Sequence, residues 1–365
     1  MGIQQLRRRA AQLGMRAITR TAADGHAAPP LSGDIFRVLI CRSSHSLGNT
    51  LLITPLLQEI EATWPGAEVD IVTRNAVAEE VFSGYASVRR VIALPRRGLR
   101  HPLALARGLR QLGRQEYDLA IDTDPRSQTG RALLLRSHAR NKLGFAGGSK
   151  SGAISHSVDP SGAPRHNGQY PVHLLRAAAQ QPQQAFPPLD LRLSQLEKDA
   201  GAQLLSRIAA KSDPARGQRG VVGIFANATG GKLLPRAWWQ QFMPPIDAHL
   251  RDFRLIEIVP ASAVSLLDSR YPCYYSSSVR KLAGVLSQLS LLVCLDGGIM
   301  HLARASGTPT AAIFAHTDIE EWGPYGEGAY PFDARHGSPL QAAQQVIEAL
   351  PPERIASFGE TVKRF

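Results

Sequence analysis

Short apolar runs alternate with amphipathic segments along residues 36–145. The apolar runs have the composition of strands, whereas the segments between them place apolar residues three and four positions apart, as helices do. Strands are predicted at 36–42, 67–73, 88–94 and 117–123, and the run ends with KLGF at 142–145. Helices are predicted at 50–64, 101–115 and 126–139. This alternation predicts a parallel sheet with right-handed crossovers.

A second alternation follows a loop at 146–168, a helix at 169–181 and a polar, proline-rich connection at 181–194. Its predicted strands are 220–227, 253–260, 290–296 and 309–315. Its predicted helices are 196–210, 235–250 (interrupted at Pro244–Pro245), 279–289, 298–307 and 339–355. The sequence therefore predicts two successive α/β halves, in which ligands bind outside the carboxyl ends of the strands.

The amino-terminal segment, residues 1–33, has a different composition. Residues 1–20 contain five arginines and no acid, with apolar residues at helical spacing, and 26–33 reads as a linker. A solvated basic tail and an amphipathic helix lying on anionic lipid both fit this pattern. A secretory signal does not fit, because there is no compact apolar stretch followed by a cleavage site.

Net charge and cysteine content indicate which partners and which structural sites the protein can have. The net charge of +12 and pI near 10 favour anionic partners, namely nucleic acid, an anionic membrane surface or phosphorylated substrates. Cys41, Cys273 and Cys294 are too few and too scattered for a disulfide framework or a zinc site. The 365 residues contain no apolar run of the roughly 18 residues needed to span a bilayer.

The stretch 294–314 is the first candidate site. A buried strand ends at Asp296, and Gly297 and Gly298 lead into a helix whose first amides and dipole suit a phosphate. His301, in the first turn, could donate to a phosphate oxygen. The alternative is a tight turn with His301 as a packing residue.

The stretch 225–239 is the second candidate site. Thr229, Gly230 and Gly231 suit an anion-binding nest, and Lys232 would add a positive charge. The spacing is not that of a Walker motif. The alternative is a solvated lysine.

The stretch 42–55 forms the third strand-end loop of this kind, and Asn49 there could simply cap the following helix. Taken together, the three loops indicate a cleft for a phosphate-bearing ligand.

Two further features lie in the first half. Asp122 begins a DTD sequence that invites a metal interpretation, although a capping or acceptor-contacting role fits a strand end better. Residues 89–114 carry eight arginines and no acid. They form either a solvated face or a basic rim for a phosphorylated glycolipid at a membrane. Nucleic-acid binding is a weaker interpretation, because no known module is present.

These residues resemble glycosyltransferase family 9, whose best-known members are the ADP-heptose:lipopolysaccharide heptosyltransferases. The resemblance spans about residues 36–350 and rests on the segments SLGNTLLITPLLQEIEATWPGAEVDIVT, YDLAIDTDPRSQTGRALLLRSHARNKLGF, FANATGGKLLPRAWW and DGGIMHLARASGTPTAAIFAHTD. The last segment is the most specific.

The resemblance implies an α/β fold of GT-B type, with two Rossmann-like domains facing a central cleft. Residues 34–190 would bind the acceptor and 191–365 the nucleotide sugar, with the last helix crossing back. Members invert the anomeric centre without a metal or other cofactor. The implied donor-binding residues are Thr229, Lys232, Asp296, Gly297, Gly298 and His301. The implied acceptor-binding residues are Ser46, Gly48, Asp122, Arg96, Arg97 and Arg100.

The sequence departs from the family pattern in three places. Asn49 stands where the family has a catalytic Asp, and an amide cannot take a proton at neutral pH. His45, four residues earlier, is the nearest titratable candidate for the base, although a structural or acceptor-contacting role is also open. Gly297 replaces a Ser or Thr, and the segment 259–273 is short where relatives carry a nucleotide-contacting Glu.

The expected activity is transfer of a heptose or related sugar from ADP-heptose or a similar donor to a lipopolysaccharide-like or other surface glycan. The alternative is a member that binds nucleotide sugar or glycolipid without transfer. The expected location is cytoplasmic, with a peripheral contact to the inner face of the plasma membrane, and nucleic acid is not an expected partner.

Overall fold

The computed structural model describes residue 31 and residues 33–147, 154–262 and 264–362. The predicted amphipathic helix at 1–20 and most of the predicted linker at 26–33 lie outside the described residues. The chain divides into two compact units. The first contains the residues up to 46, Ile53–Glu79 and Tyr85–Pro187, and the second contains Leu47–Leu52, Glu80–Gly84 and the residues from Pro188 onward. The division at Pro187–Pro188 lies within the predicted connection.

The first unit contains a sheet of six parallel strands in the order β3-β2-β1-β4-β5-β6. The strands are β1 (Arg37–Arg42), β2 (Glu68–Thr73), β3 (Val88–Ala93), β4 (Glu116–Asp122), β5 (His138–Phe145) and β6 (His156–Val158). This is the strand order of a Rossmann-type doubly wound sheet.

The helices of the amino-terminal half are α1 (Leu47–Leu51), α2 (Thr54–Thr63), α3 (Ala78–Phe82), α4 (Pro102–Gly113), α5 (Gln128–Arg136) and α6 (Tyr170–Ala178). A 3₁₀ turn at Gly98–Arg100 precedes α4. Helix α1 and the end of α3 belong to the second unit.

The second unit repeats the same topology in a sheet ordered β12-β11-β10-β7-β8-β9. Its strands are β7 (Val221–Phe225), β8 (Arg254–Ile258), β9 (Cys273–Tyr274), β10 (Leu291–Leu295), β11 (Thr310–Phe314) and β12 (Ala329–Asp333). All of the pairings are parallel. The two sheets confirm the predicted α/β class with two Rossmann-like domains.

The remaining helices are α7 (Gln195–Ala209), α8 (Arg236–His249), α9 (Val279–Leu286), α10 (Gly298–Ala305), α11 (Ile319–Trp322), α12 (Pro339–Ala349) and α13 (Pro352–Val362). A 3₁₀ turn at Gly230–Lys232 precedes α8. No helix in the described ranges is long and apolar enough to cross a bilayer.

The central strands are buried on both faces, as expected for parallel sheets covered by helices on each side. Every residue of β10 and β11 is buried. In the second unit, Trp239, Phe242 and Phe253 pack with these strands in one apolar cluster. Ile355 of α13 belongs to the same cluster, and the predicted crossing of the last helix to the amino-terminal domain stays a prediction.

The strands that sequence analysis missed are β6, β9 and β12, and each lies at the edge of its sheet. Edge strands are short and half-exposed, so their apolar pattern is weak. Strand β9 has only two residues, and β6 has three and lies inside the predicted loop 146–168.

Proline explains most of the remaining differences. The predicted interruption at Pro244–Pro245 is wrong, because α8 continues through both residues while Trp239 and Phe242 anchor it in the core. The predicted helix 339–355 is two helices, since Leu350 precedes Pro351 and leaves the helical conformation, with φ −129° and ψ 69°. The predicted helix 50–64 is likewise divided before Pro55.

Candidate functional site

The two candidate loops of the second unit meet where its strand order reverses. The chain builds outward from β7 to β9 and then resumes with β10 on the other side of β7. Strands β7 and β10 are hydrogen-bonded neighbours, with Phe225 opposite Cys294. The loops that follow them therefore emerge side by side at the carboxyl edge, at the position where doubly wound sheets bind ligands.

Lys232 and Asp296 form an ion pair at this position. The Nζ atom of Lys232 donates to Oδ2 of Asp296 at 2.5 Å. The Asp296 side chain is 4% exposed and the Lys232 side chain 32% exposed. The pair thus has a buried anionic side and a cationic side that an incoming anion can reach.

One segment that sequence analysis did not select holds both members of the pair. Thr317, in the loop after β11, donates its hydroxyl to Oδ2 of Asp296. The ring of Trp322, at the end of α11, lies 5.8 Å from Nζ of Lys232, a cation–π distance. Thr317 could have been found from the sequence, because it belongs to a polar HTD segment directly after a predicted strand. No local sequence pattern predicts a role for Trp322.

Helix α10 begins directly after Asp296. Gly297 is its N-cap residue, with an extended backbone and no side-chain hydrogen bond to the helix. A Cβ atom at Gly297 would have no neighbour closer than 4.0 Å, whereas one at Gly298 would lie 3.2 Å from Cβ of Leu47. The structure therefore places uncapped amides beside the ion pair, and amides at a helix start favour anions.

His301 is buried in the first turn of α10 and packs against Gly48 of α1. A Cβ atom on Gly48 would lie 2.8 Å from Cδ2 of His301. Gly48, predicted to bind the acceptor, and His301, predicted to bind the donor, are therefore in contact within the second unit.

The lysine loop itself is open. Thr229 and Gly231 are exposed, and Gly230 has φ +68°, a left-handed conformation that favours glycine. Nδ2 of Asn227, at the start of the loop, is buried and has no hydrogen-bond partner among the described residues. Asn227 is not among the predicted site residues, and it supplies a buried amide donor in the same loop as the lysine.

The residues after β1 have distinct environments. His45 and Ser46 are exposed, and Asn49 is half-buried in α1. Partial burial, and then the positive charges of Arg96 and Arg74, lower the pKa of His45. His45 is therefore largely neutral at neutral pH and able to accept a proton. Arg96, Arg97 and Arg100 are exposed in the loop before α4.

Asp122 is buried in the first unit and is 3.1 Å from Nε of Arg131, which also donates to the carbonyl of Phe145. Its contact with acceptor stays a prediction. The described residues contain no group of three or more His, Cys, Asp or Glu placed to hold a metal ion.

Comparison with known proteins supports the resemblance. The sequence profile of glycosyltransferase family 9 (heptosyltransferase) matches residues 277–347. This range includes Asp296, Gly297, Gly298 and His301 and excludes Lys232. No curated protein sequence matches the chain.

Solved structures share the fold. A family 9 glycosyltransferase from Veillonella parvula is 15% identical with a TM-score of 0.69, covering 92% of this chain and 98% of its own. The E. coli heptosyltransferase WaaC with ADP is 19% identical with a TM-score of 0.63, covering 86% and 99%. It is also solved with ADP-2-deoxy-2-fluoro heptose. E. coli ADP-heptose lipopolysaccharide heptosyltransferase II is 16% identical with a TM-score of 0.60, covering 90% and 98%.

At these identities the structures show the fold alone, and the sequence profile shows a similarity confined to the segment that carries the Asp296 loop. The chain thus shares its fold with glycosyltransferases of family 9, and residues 277–347 are similar in sequence to that family.

Proposed function

We propose that this protein transfers a heptose or related sugar, with inversion, from a nucleotide diphosphate donor to a lipopolysaccharide-like or other surface glycan. The observation that carries the proposal is the Lys232–Asp296 ion pair beside the uncapped start of α10. WaaC in complex with ADP and an ADP-heptose analogue supports ADP-heptose, or a similar sugar nucleotide, as the donor.

The donor half stabilises the leaving group. When the bond between the anomeric carbon and the diphosphate oxygen breaks, its electron pair stays on the diphosphate and negative charge develops there. The ammonium of Lys232 and the first amides of α10 are fixed donors for that charge, so they lower the barrier without reorganising. No step requires a metal ion.

The acceptor half supplies the nucleophile. An acceptor hydroxyl attacks the anomeric carbon from the face opposite the diphosphate, which inverts the configuration, and its proton passes to a base. His45 carries a lowered pKa and is the proposed base. Asn49 would orient the hydroxyl through its amide. Exposed Arg96, Arg97 and Arg100 suit a phosphorylated acceptor at the cytoplasmic face of the membrane.

The decisive experiment replaces the lysine. Lys232→Ala should reduce turnover of ADP-heptose by about 10²–10³-fold, the usual effect of removing one charge-stabilising donor. It should also weaken the thermal stabilisation produced by ADP. Lys281→Ala, which removes an exposed lysine of the same unit, is the matched control and should behave as wild type. Wild-type turnover in Lys232→Ala would refute the donor site.

A second candidate function is binding without transfer, and Asn49 in the position of the family's base favours it. This protein would then bind ADP or the sugar nucleotide in calorimetry and show no transfer across a panel of glycan acceptors. Under that outcome, Asn49→Asp should restore measurable transfer.

A further inference from the structure

Helix α4 and its C-cap residue present a basic stripe, defined as Arg107, Arg110 and Arg114, on the outward face of the helix. Gly108 and Leu112 are buried on the opposite face against the sheet, and the three arginines are exposed. Leu103 continues the same face, one turn earlier, and is 83% exposed. Because successive members lie three or four residues apart, they align along about 16 Å of helix.

The stripe is not neutralised by acidic side chains. None of its three arginines forms an ion pair within the described parts of the chain. Elsewhere in the same unit, Arg89 pairs with Asp70 and Glu68, and Arg140 pairs with Asp118. Arginines without counter-charges at a protein surface attract anions.

A surface cavity of about 560 Å³ adjoins the stripe and is also cationic. Arg110 and Arg114 line it together with Arg136 at the end of α5, His138 at the start of β5 and the apolar Leu109. It lies beside the amino end of a strand, whereas the sugar-transfer residues follow carboxyl ends. The cavity is therefore separate from the proposed acceptor residues of the same unit.

We propose that the basic stripe and this cavity dock the protein onto an anionic phospholipid bilayer. Guanidinium groups would contact lipid phosphates, the cavity would admit a head group, and Leu103 would enter the acyl boundary. A nearly straight row of charges on one helix fits a flat surface. An exposed leucine at its end, and a cavity lining without Phe, Tyr or Trp, favour lipid over a nucleic acid, whose bases stack on such rings.

The test is flotation of the full-length protein with vesicles. Vesicles of about 30% phosphatidylglycerol in phosphatidylcholine should bind wild type at about 0.1 M salt more tightly than pure phosphatidylcholine vesicles, and added salt should weaken binding. Arg107→Gln/Arg110→Gln/Arg114→Gln should weaken binding on the order of 100-fold, since each basic residue near the surface contributes about fivefold.

The matched control removes the same charge from the second unit. Arg207, Lys211 and Arg251 are exposed, and their triple glutamine variant should bind within about twofold of wild type, because these side chains belong neither to the stripe nor to the cavity lining. Equal losses in both variants would mean that net charge alone drives binding and would overturn the proposal. Unchanged binding of the stripe variant would overturn it as well.

Two further measurements separate the alternatives. Leu103→Ser should weaken vesicle binding at high salt, where the arginines are screened. ADP binding should be unchanged in the stripe variant, so a failure of the donor site would not be confused with a failure of docking. If wild type floated no better with anionic than with neutral vesicles but bound single-stranded RNA through the stripe, the lipid proposal would be wrong.

Discussion

At the scale of single residues, the site depends on a buried carboxylate. Asp296 is nearly inaccessible and accepts from both Lys232 and Thr317. A buried carboxylate is costly unless it is paired, so the stability of Asp296 depends on the hydrogen bonds from Lys232 and Thr317. Lys232→Ala therefore has two effects: it removes the cation from the site, and it leaves Thr317 as the side-chain donor to the buried charge of Asp296.

A Lys232→Ala/Asp296→Asn double variant separates these effects. It should be more stable to unfolding than Lys232→Ala alone, because the unpaired charge is gone, but its turnover should stay as low.

The pKa of His45 predicts a pH dependence. Burial and the nearby arginines lower this pKa below the ordinary histidine value of about 6.5. A base must be neutral, so turnover should hold at neutral pH and fall only as the pH drops below that lowered pKa. His45→Ala should lower turnover and remove this acid limb from the pH–rate profile.

The control for this measurement is His336→Ala, which removes an exposed histidine of the second unit. Its acid limb should coincide with that of wild type. An acid limb that persists in His45→Ala would show that another group is the base. Asn49→Asp should be tolerated and should raise turnover, because a carboxylate supplies the proton acceptor that the amide lacks.

At the scale of elements, the close approach of α1 and α10 positions His301. Gly48 has no side chain, and the buried ring of His301 occupies the space that a Cβ would need. The packing of His301 on Gly48 therefore positions the start of α10 and its uncapped amides, although Gly48 lies more than 200 positions earlier in the chain.

Gly48→Ala tests this packing. Alanine is the better helix former, so any loss must come from the contact at 2.8 Å with His301. We expect a loss of about 1–3 kcal/mol in the free energy of unfolding, typical of overpacking, and weaker ADP binding as α10 shifts. The control is Gly113→Ala, where an added Cβ would meet nothing within 4 Å. Thermal unfolding should show no loss of stability in this variant, and calorimetry should show unchanged ADP binding.

At the scale of the whole molecule, Arg280 joins distant parts of the second unit. It pairs with Glu197 of α7 and donates to the carbonyls of Glu80, Leu191 and Arg192. Glu80 in turn accepts from Ser278 and the amide of Val279. The segment Glu80–Gly84 is thus bound to the second unit although both of its chain neighbours belong to the first.

This network predicts an acid-sensitive stability. The hydrogen bonds from Arg280, and then those from Ser194, lower the pKa of Glu197 to about 2, against about 4.3 in an unfolded chain. The stabilisation is therefore complete above about pH 5 and is lost as the pH falls through 4 towards 2. Glu197→Gln should lower stability at pH 7 by about 2 kcal/mol, and its difference from wild type should shrink towards pH 2.

Urea unfolding across this pH range provides the measurement. Asp333→Asn is the control, because Arg335 lowers the pKa of Asp333 in the same direction but this pair is more exposed to solvent than Arg280 and Glu197. Its unfolding midpoint should stay near wild type throughout. A constant difference between Glu197→Gln and wild type at every pH would contradict the assigned role of the charge.

The pattern of apolar positions was enough to predict the central strands and most of the helices. Strands β1, β2, β7, β10 and β11 lie within their predicted ranges, because a strand buried on both faces requires a continuous apolar run. The edge strands and the continuous α8 could not be predicted in this way. Their stability comes from neighbours distant in the chain, such as the core around Trp239 that holds a helix containing two prolines.

The sequence by itself determined the order of elements, the two-domain α/β class and the residues that end the strands of the site, because these depend on local periodicity and residue type. The tertiary structure decided which of those residues meet. Lys232 and Asp296 are 64 positions apart and become partners only because β7 and β10 are neighbours in the sheet. The same holds for Thr317 and Trp322, which contact the pair only in the folded chain. The basic stripe likewise depends on the fold, because burial of Gly108 and Leu112 turns its three arginines outward.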